Sequence, residues 1–208
     1  KLLSQFVRKG APLTMQQSTL QHYVPRFLLR KFGLGKKDRV HVFDKHTKSS
    51  FVSSAKVVAA ENGMYDFAFM GEELTLEPGL AKLESIAARI FAAVESRKWL
   101  PTPNSDDRGH IAGFLAVQLV RTRAQVNLQT DIQRRMEAYL RSQGMDDSFF
   151  PSDPKVGEGE NAMRATFVRQ IVNAPKDYAP ALLEKDWLLL QTSRQHPFLI
   201  GDHPLVMH

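Results

Sequence analysis

The chain contains no cysteine, so neither a disulfide framework nor a thiolate metal site can be built from it. No apolar run reaches the roughly 20 residues that a membrane-spanning helix needs, and no signal peptide is evident. These absences set the expectation of a cytoplasmic protein with no membrane span. The HExxH pattern of zinc hydrolases and the glycine-rich P-loop are also missing, as are internal repeats and low-complexity tracts. What is present is ordinary in bulk. The 208 residues are 43% hydrophobic and 24% charged, which are globular proportions, and the length allows one domain with a real core.

Charge is distributed unevenly. Residues 1–48 hold 11 Lys and Arg against only Asp38 and Asp44, a local +9, while the remaining 160 hold 17 against 20, a local −3. A concentrated basic region attracts polyanions, so nucleic acid or another polyanion is the expected partner class. Residues 1–14 are basic and mildly apolar and read as an N-terminal extension ahead of Met15, with residues 15–208 as a single domain. The chain stops just after a strand-like segment, which suggests that the domain continues beyond His208.

The most concentrated stretch is Gln21-His22-Tyr23-Val24-Pro25-Arg26-Phe27-Leu28-Leu29-Arg30-Lys31-Phe32. Proline is tolerated in a first helical turn, where its missing N–H would have had no partner. Pro25 therefore predicts a helix over about Val24–Phe32, ended by Gly33 and Gly35. His22, Arg26 and Arg30 recur every four residues, the spacing of one helical face. A helix start also favours anions, so Gln21, His22 and Arg26 are candidates to receive a phosphate or carboxylate. A capped amphipathic helix with solvated arginines accounts for the same residues.

Beyond it, Arg39–Asp44 alternates with period two and reads as a strand, returning through Ser50–Ser53 as a hairpin. Asn62-Gly63 marks a turn flanked by Glu61 and Asp66. Pro78 opens a helix to about Trp99. Ser105 and its acidic neighbours cap a very long helical pattern from Asp106 to Gln143, stopped by Gly144. Residues 144–159 read as a loop, and Glu160–Asn173 as a helix. Asp186–Thr192 and Pro197–Ile200 read as two further strands. The expectation is an α+β fold, mostly helical, with one long central helix packed against a small antiparallel sheet.

At QHYVPRFLLRKF the sequence resembles the bacterial family catalogued as domain of unknown function 4238, whose members begin with an HYVPRFLLR-like motif. Val42-Phe43-Asp44-Lys45 is similar to its strand, and Ala60-Glu61-Asn62-Gly63-Met64-Tyr65-Asp66 to its acidic turn. Leu83-Glu84 matches the start of its helix. The segment from Phe114 to Thr122 resembles its FxALQxxRT-like helix, and Trp187 with the strand ending in Asp202 and Pro204 its terminal block. That block usually reads Ser-Asp-Asn-Pro and here is Gly201-Asp202-His203-Pro204, so a serine or asparagine acting in chemistry would be altered in this chain. The resemblance implies no activity.

The polar positions of these blocks are the candidate site. His22, Glu61, Asp66 and Asp202 are the candidate catalytic groups. Gln21, Arg26, Asn62, Gln118, Arg121 and Thr122 are the candidate substrate-binding groups. A histidine, carboxylates and arginines are the parts of phosphoester hydrolysis: carboxylates to hold a divalent metal, arginine to stabilise charge, histidine to move a proton. The first reading is therefore a nuclease or other phosphoester hydrolase, possible with a metal cofactor. A non-catalytic module binding nucleic acid or protein is the second, and a toxin or phage-defence component the third, by analogy alone. Gln118, Arg121, Thr122 and Gln125 share one helical face, which either lines a cleft or is simply exposed. His41, His46, His110, His196 and His208 have no spacing that singles them out.

Overall fold

The computed structural model describes residues 7–8, 20–35, 38–145, 158–193 and 195–205. Among these residues seven short strands and one small helix precede the main helices. They are β1 (Val7–Arg8), β2 (Leu20–His22), α1 (Arg26–Lys31), β3 (Arg39–Asp44), β4 (Ser49–Ser54), β5 (Ala60–Asn62), β6 (Asp66–Phe69) and β7 (Glu72–Thr75). Four helices follow: α2 (Glu77–Arg97), α3 (Asp106–Val120), α4 (Arg123–Ser142) and α5 (Glu158–Leu183). Among the described residues helices outweigh strands, and every strand pairing is antiparallel: β1-β7-β6, β2-β5 and β3-β4. The fold is α+β, as its sequence pattern predicts.

The single long helix is not there. Residues 106–142 form two helices that part at Arg121 and Thr122, whose backbones are non-helical (ψ 54° and 153°). Thr122 caps α4, its Oγ1 accepting a hydrogen bond from the Gln125 amide at 3.3 Å. The expected strands at Asp186–Thr192 and Pro197–Ile200 have no strand pairing among the described residues. Trp187 instead anchors that segment. Its Nε1 donates to the Leu182 carbonyl at 2.9 Å, and the Arg108 guanidinium stacks over its ring at 4.1 Å from the centroid. The last helix is longer than the sequence suggests and runs through Pro175 and Pro180. The expected 144–159 loop lies largely outside the described residues, and so does most of the 1–14 extension, of which Val7 and Arg8 pair with β7.

The core forms around α3 and α5, with Ala112, Ala116 and Val117 meeting Phe167, Val168, Ile171 and Ala174. Small side chains on α3 let the two helices lie close, and the same cluster takes in Tyr65, Phe67, Leu74 and Leu76 from the strands. Phe27, Phe91 and Phe114 make a second junction, with ring centroids 5.7–6.0 Å apart, tying α1, α2 and α3 together. Offset and edge contacts of this kind stabilise beyond the area they bury.

Candidate functional site

The α3–α4 break lies where the polar residues of the sequence motifs meet. Arg121 is only 1% exposed. Its Nε donates to the Tyr65 hydroxyl at 2.8 Å, its Nη1 to Glu84 Oε1 at 2.6 Å, and its Nη2 to the His22 carbonyl. The Tyr65 hydroxyl donates in turn to the same His22 carbonyl at 2.9 Å. Burial works against the Arg121 charge, but Tyr65 and Glu84 more than reverse this, so its pKa stands above the ordinary arginine value. Burial pushes the Tyr65 hydroxyl up to about 12 despite the guanidinium beside it, so it stays protonated and able to donate.

A second set of bonds locks the neighbouring residues. Gln21 Nε2 donates to Asp66 Oδ1 at 2.7 Å while its Oε1 accepts from the Tyr65 amide at 2.6 Å. Gln118 Nε2 donates to the Tyr23 carbonyl at 2.6 Å. Gln118 is fully buried, and its Oε1 has no hydrogen-bond partner among the described residues. The turn that carries Tyr65 needs a glycine, because Gly63 has φ +61° and a Cβ there would lie 3.3 Å from Asp66 Oδ2. Gln21, Asp66 and Arg121 thus share one buried network through Tyr65 and the His22 carbonyl, Gln118 ties α3 to Tyr23 beside it, and Thr122 is buried next to it as the cap of α4. Of the polar face expected on the long helix to line a cleft or lie exposed, Gln118, Arg121 and Thr122 are internal and Gln125 is half-buried.

The other candidates lie outside this network. The side chains of successive strand residues point to opposite faces. Gln21 turns inward, and the His22 imidazole bonds the Ala55 carbonyl through Nε2 at 3.1 Å. Burial pushes the His22 pKa down, the Ala55 bond and the Glu84 charge opposing in part. Arg26 and Arg30 both bond Asp38 Oδ2, at 2.9 and 2.8 Å, and hold that carboxyl below its ordinary range. Lys31 pairs with Glu95 at 2.5 Å. Part of the basic N-terminal third is therefore matched by acids. Asp202 is exposed; its charge and that of Glu61 add to burial in raising the Tyr23 hydroxyl.

Glu61 and Asn62 line an open cleft of about 470 Å³ between β5, α4 and α5. Arg123 and Arg134 from α4 and Arg164 from α5 line it too, with Asn127 and Asp131, over a floor that includes Met64, Val126 and Phe167. Arg123 Nη1 holds Glu61 Oε2 at 2.9 Å, and Arg164 Nη1 donates to the Gly63 carbonyl at 3.1 Å. The sequence reading missed these three arginines, along with the structural roles of Tyr65 and Glu84. The last two stand inside motif blocks; the arginines are scattered, and only the fold collects them. Among the described residues no three His, Asp or Glu side chains gather to hold a metal ion. The donor set expected for a divalent metal thus does not assemble from His22, Glu61, Asp66 and Asp202.

A family model described as "Protein of unknown function (DUF4238)" matches residues 20–208. The chain belongs to the DUF4238 family. No curated protein and no solved structure matches it. In this DUF4238 chain the opening motif, the acidic turn and the QLVRT segment are joined physically, because Gln21 and the His22 carbonyl, Tyr65 and Asp66, and Arg121 meet in the buried network, with Gln118 tied to Tyr23 beside it. No helix among the described residues is long and apolar enough to cross a membrane.

Proposed function

We propose that this DUF4238 protein binds a phosphate-bearing ligand, a nucleotide or a nucleic-acid strand, in the cleft between β5, α4 and α5. The observation that carries the reading is the convergence of Arg123, Arg134 and Arg164 on one open cleft. Guanidinium groups present planar pairs of donors that match phosphate oxygens. The volume falls within the roughly 300–1,000 Å³ of small-ligand sites, and the asparagines beside it can bond a base or a sugar. Binding is favoured over hydrolysis because Asp66 and Arg121 are engaged in the buried network and the His22 imidazole is bonded to Ala55. Hydrolysis in the same cleft is the second reading, favoured by Glu61, the one candidate catalytic carboxylate that lines it.

Fluorescence anisotropy with a labelled single strand, and competition by ATP, tests the reading. Affinity should fall as salt rises, and the Arg123→Ala/Arg134→Ala variant should bind more weakly, with a salt slope shallower by about 1 for each phosphate contact removed. No binding at low salt, or binding indifferent to the double substitution, overturns it. Cleavage of the strand that disappears in Glu61→Gln would promote the hydrolytic reading.

A further inference from the structure

We propose that the occupant of the cleft is a single nucleic-acid strand lying along α4, with one phosphate held at the β5 end and another at Arg134. This rests on the phosphate reading of the cleft and narrows it to a ligand several nucleotides long. The first observation is the alignment of the α4 residues that line the cleft. Arg123, Asn127, Asp131 and Arg134 stand at i, i+4, i+8 and i+11, and at 3.6 residues per turn these positions fall within an arc of about 80°. They form one row down the helix. Its two arginines lie about three turns apart, roughly 16 Å at 1.5 Å per residue.

The second observation is where the cations sit. Arg123 Nη1 bonds Glu61 and Arg164 Nη1 bonds the Gly63 carbonyl, so both guanidinium groups gather at the end of β5. The Glu61 bond uses one of the five N–H donors that Arg123 carries, and the others can meet an anion. Arg134 is exposed, and no ion pair or hydrogen bond holds it among the described residues. The cleft thus offers phosphate contacts at two separate places.

The third observation is what lies between them. Asp131 interrupts the cationic row with an exposed carboxylate, and Asn127 adds a neutral donor and acceptor. A carboxylate repels a phosphate but accepts from the amino group of a base. Neighbouring phosphates of a nucleoside triphosphate share a bridging oxygen, so that chain is too short to reach both ends and brings only negative charge to the middle. In a strand, a sugar and its base separate each phosphate from the next. Stacked nucleotides repeat about every 3.4 Å, which sets the two ends of the row about five nucleotides apart, or fewer where the strand is extended.

Fluorescence anisotropy at low salt with oligonucleotides of about two to about eight residues tests the proposal. A strand of about six should bind about tenfold more tightly than a dinucleotide, the gain of a second charge-assisted contact. Arg134→Gln should hold the dinucleotide as wild type does and lose that gain, whereas Arg123→Gln should weaken both. Inorganic polyphosphate long enough to span the row should compete poorly, because it sets a phosphate against Asp131, and should compete better in Asp131→Asn. Oligothymidylates and oligouridylates are run in parallel, and the series with the steeper length dependence identifies the sugar. A flat length profile with ATP competing as well as the longest strand overturns the proposal and leaves the phosphate reading standing. A length gain that survives Arg134→Gln, or polyphosphate that competes as well as a strand, overturns it too. If neither ATP nor a strand of any length binds, the phosphate reading falls and this proposal with it.

Discussion

Arg121 carries its charge into the interior with three partners, none of which is adjacent in sequence. Removing one member of a buried pair leaves the others desolvated, which costs about 3–5 kcal/mol. Arg121→Met should therefore lower stability by that order in urea unfolding. Tyr65→Phe, which leaves the guanidinium its bonds to Glu84 and the His22 carbonyl, should lose only about 1–2 kcal/mol. Equal losses would mean that the hydroxyl, not the charge, organises the site. His22 adds a pH dependence. Its folded pKa lies below the ordinary 6.5, so in acid the unfolded chain takes up a proton that the folded chain resists. Its contribution to stability is full above 6.5 and falls as pH drops through 6.5 towards the folded value. Denaturation midpoints compared at about pH 7.5 and about pH 5.5 should fall less for His22→Asn than for wild type. An unchanged difference would place the acid sensitivity elsewhere.

The boundary between α3 and α4 shows what an element owes to one side chain. Thr122→Ala deletes the cap on Gln125 and should cost about 1 kcal/mol, read as a lower melting temperature with loss of helical signal. A neutral result would mean that the buried Arg121 network holds the break unaided. The signal was in the sequence, since Thr122-Arg-Ala-Gln125 has the T-x-x-Q form of a capping box. Apolar periodicity continues across it through Val120 and Val126, so the pattern reads as one helix. The Asn62-Gly63 turn was legible because a positive φ is a local demand that glycine meets. The strand-like run from Asp186 was misread for the opposite reason: a short apolar run bounded by polar residues states that a segment can pair, never what it pairs with. Leu188 and Leu190 accordingly stand 84% and 72% exposed. Pro175 and Pro180 hid the length of α5, where packing against α3 outweighs the two lost amide donors. For the candidate site, the polar residues were recognisable as a set, but sequence could not tell a buried tie from an open cleft.

At the scale of the whole molecule, Arg121 is one of several polar ties between the helices and the strand-rich N-terminal half. The three bonds of Arg121 span 37, 56 and 99 residues of chain. That separation has a consequence in time. Contacts between distant positions form only after the intervening loops have closed, and loop closure is the slow part of folding. Until β2, the β5–β6 turn, α2 and the end of α3 have all arrived, the guanidinium is better off in water than in the core. The network should thus be a late clasp. Stopped-flow measurements on Arg121→Met should find refolding nearly unchanged and unfolding faster by about a hundredfold, the share of a ~3 kcal/mol loss that falls on the unfolding limb when a contact is absent from the transition state. If refolding slows by a comparable factor instead, the arginine belongs to the nucleus. A clasp that closes last also opens first, and so Arg121 sets how long the native state endures more than how quickly it is reached.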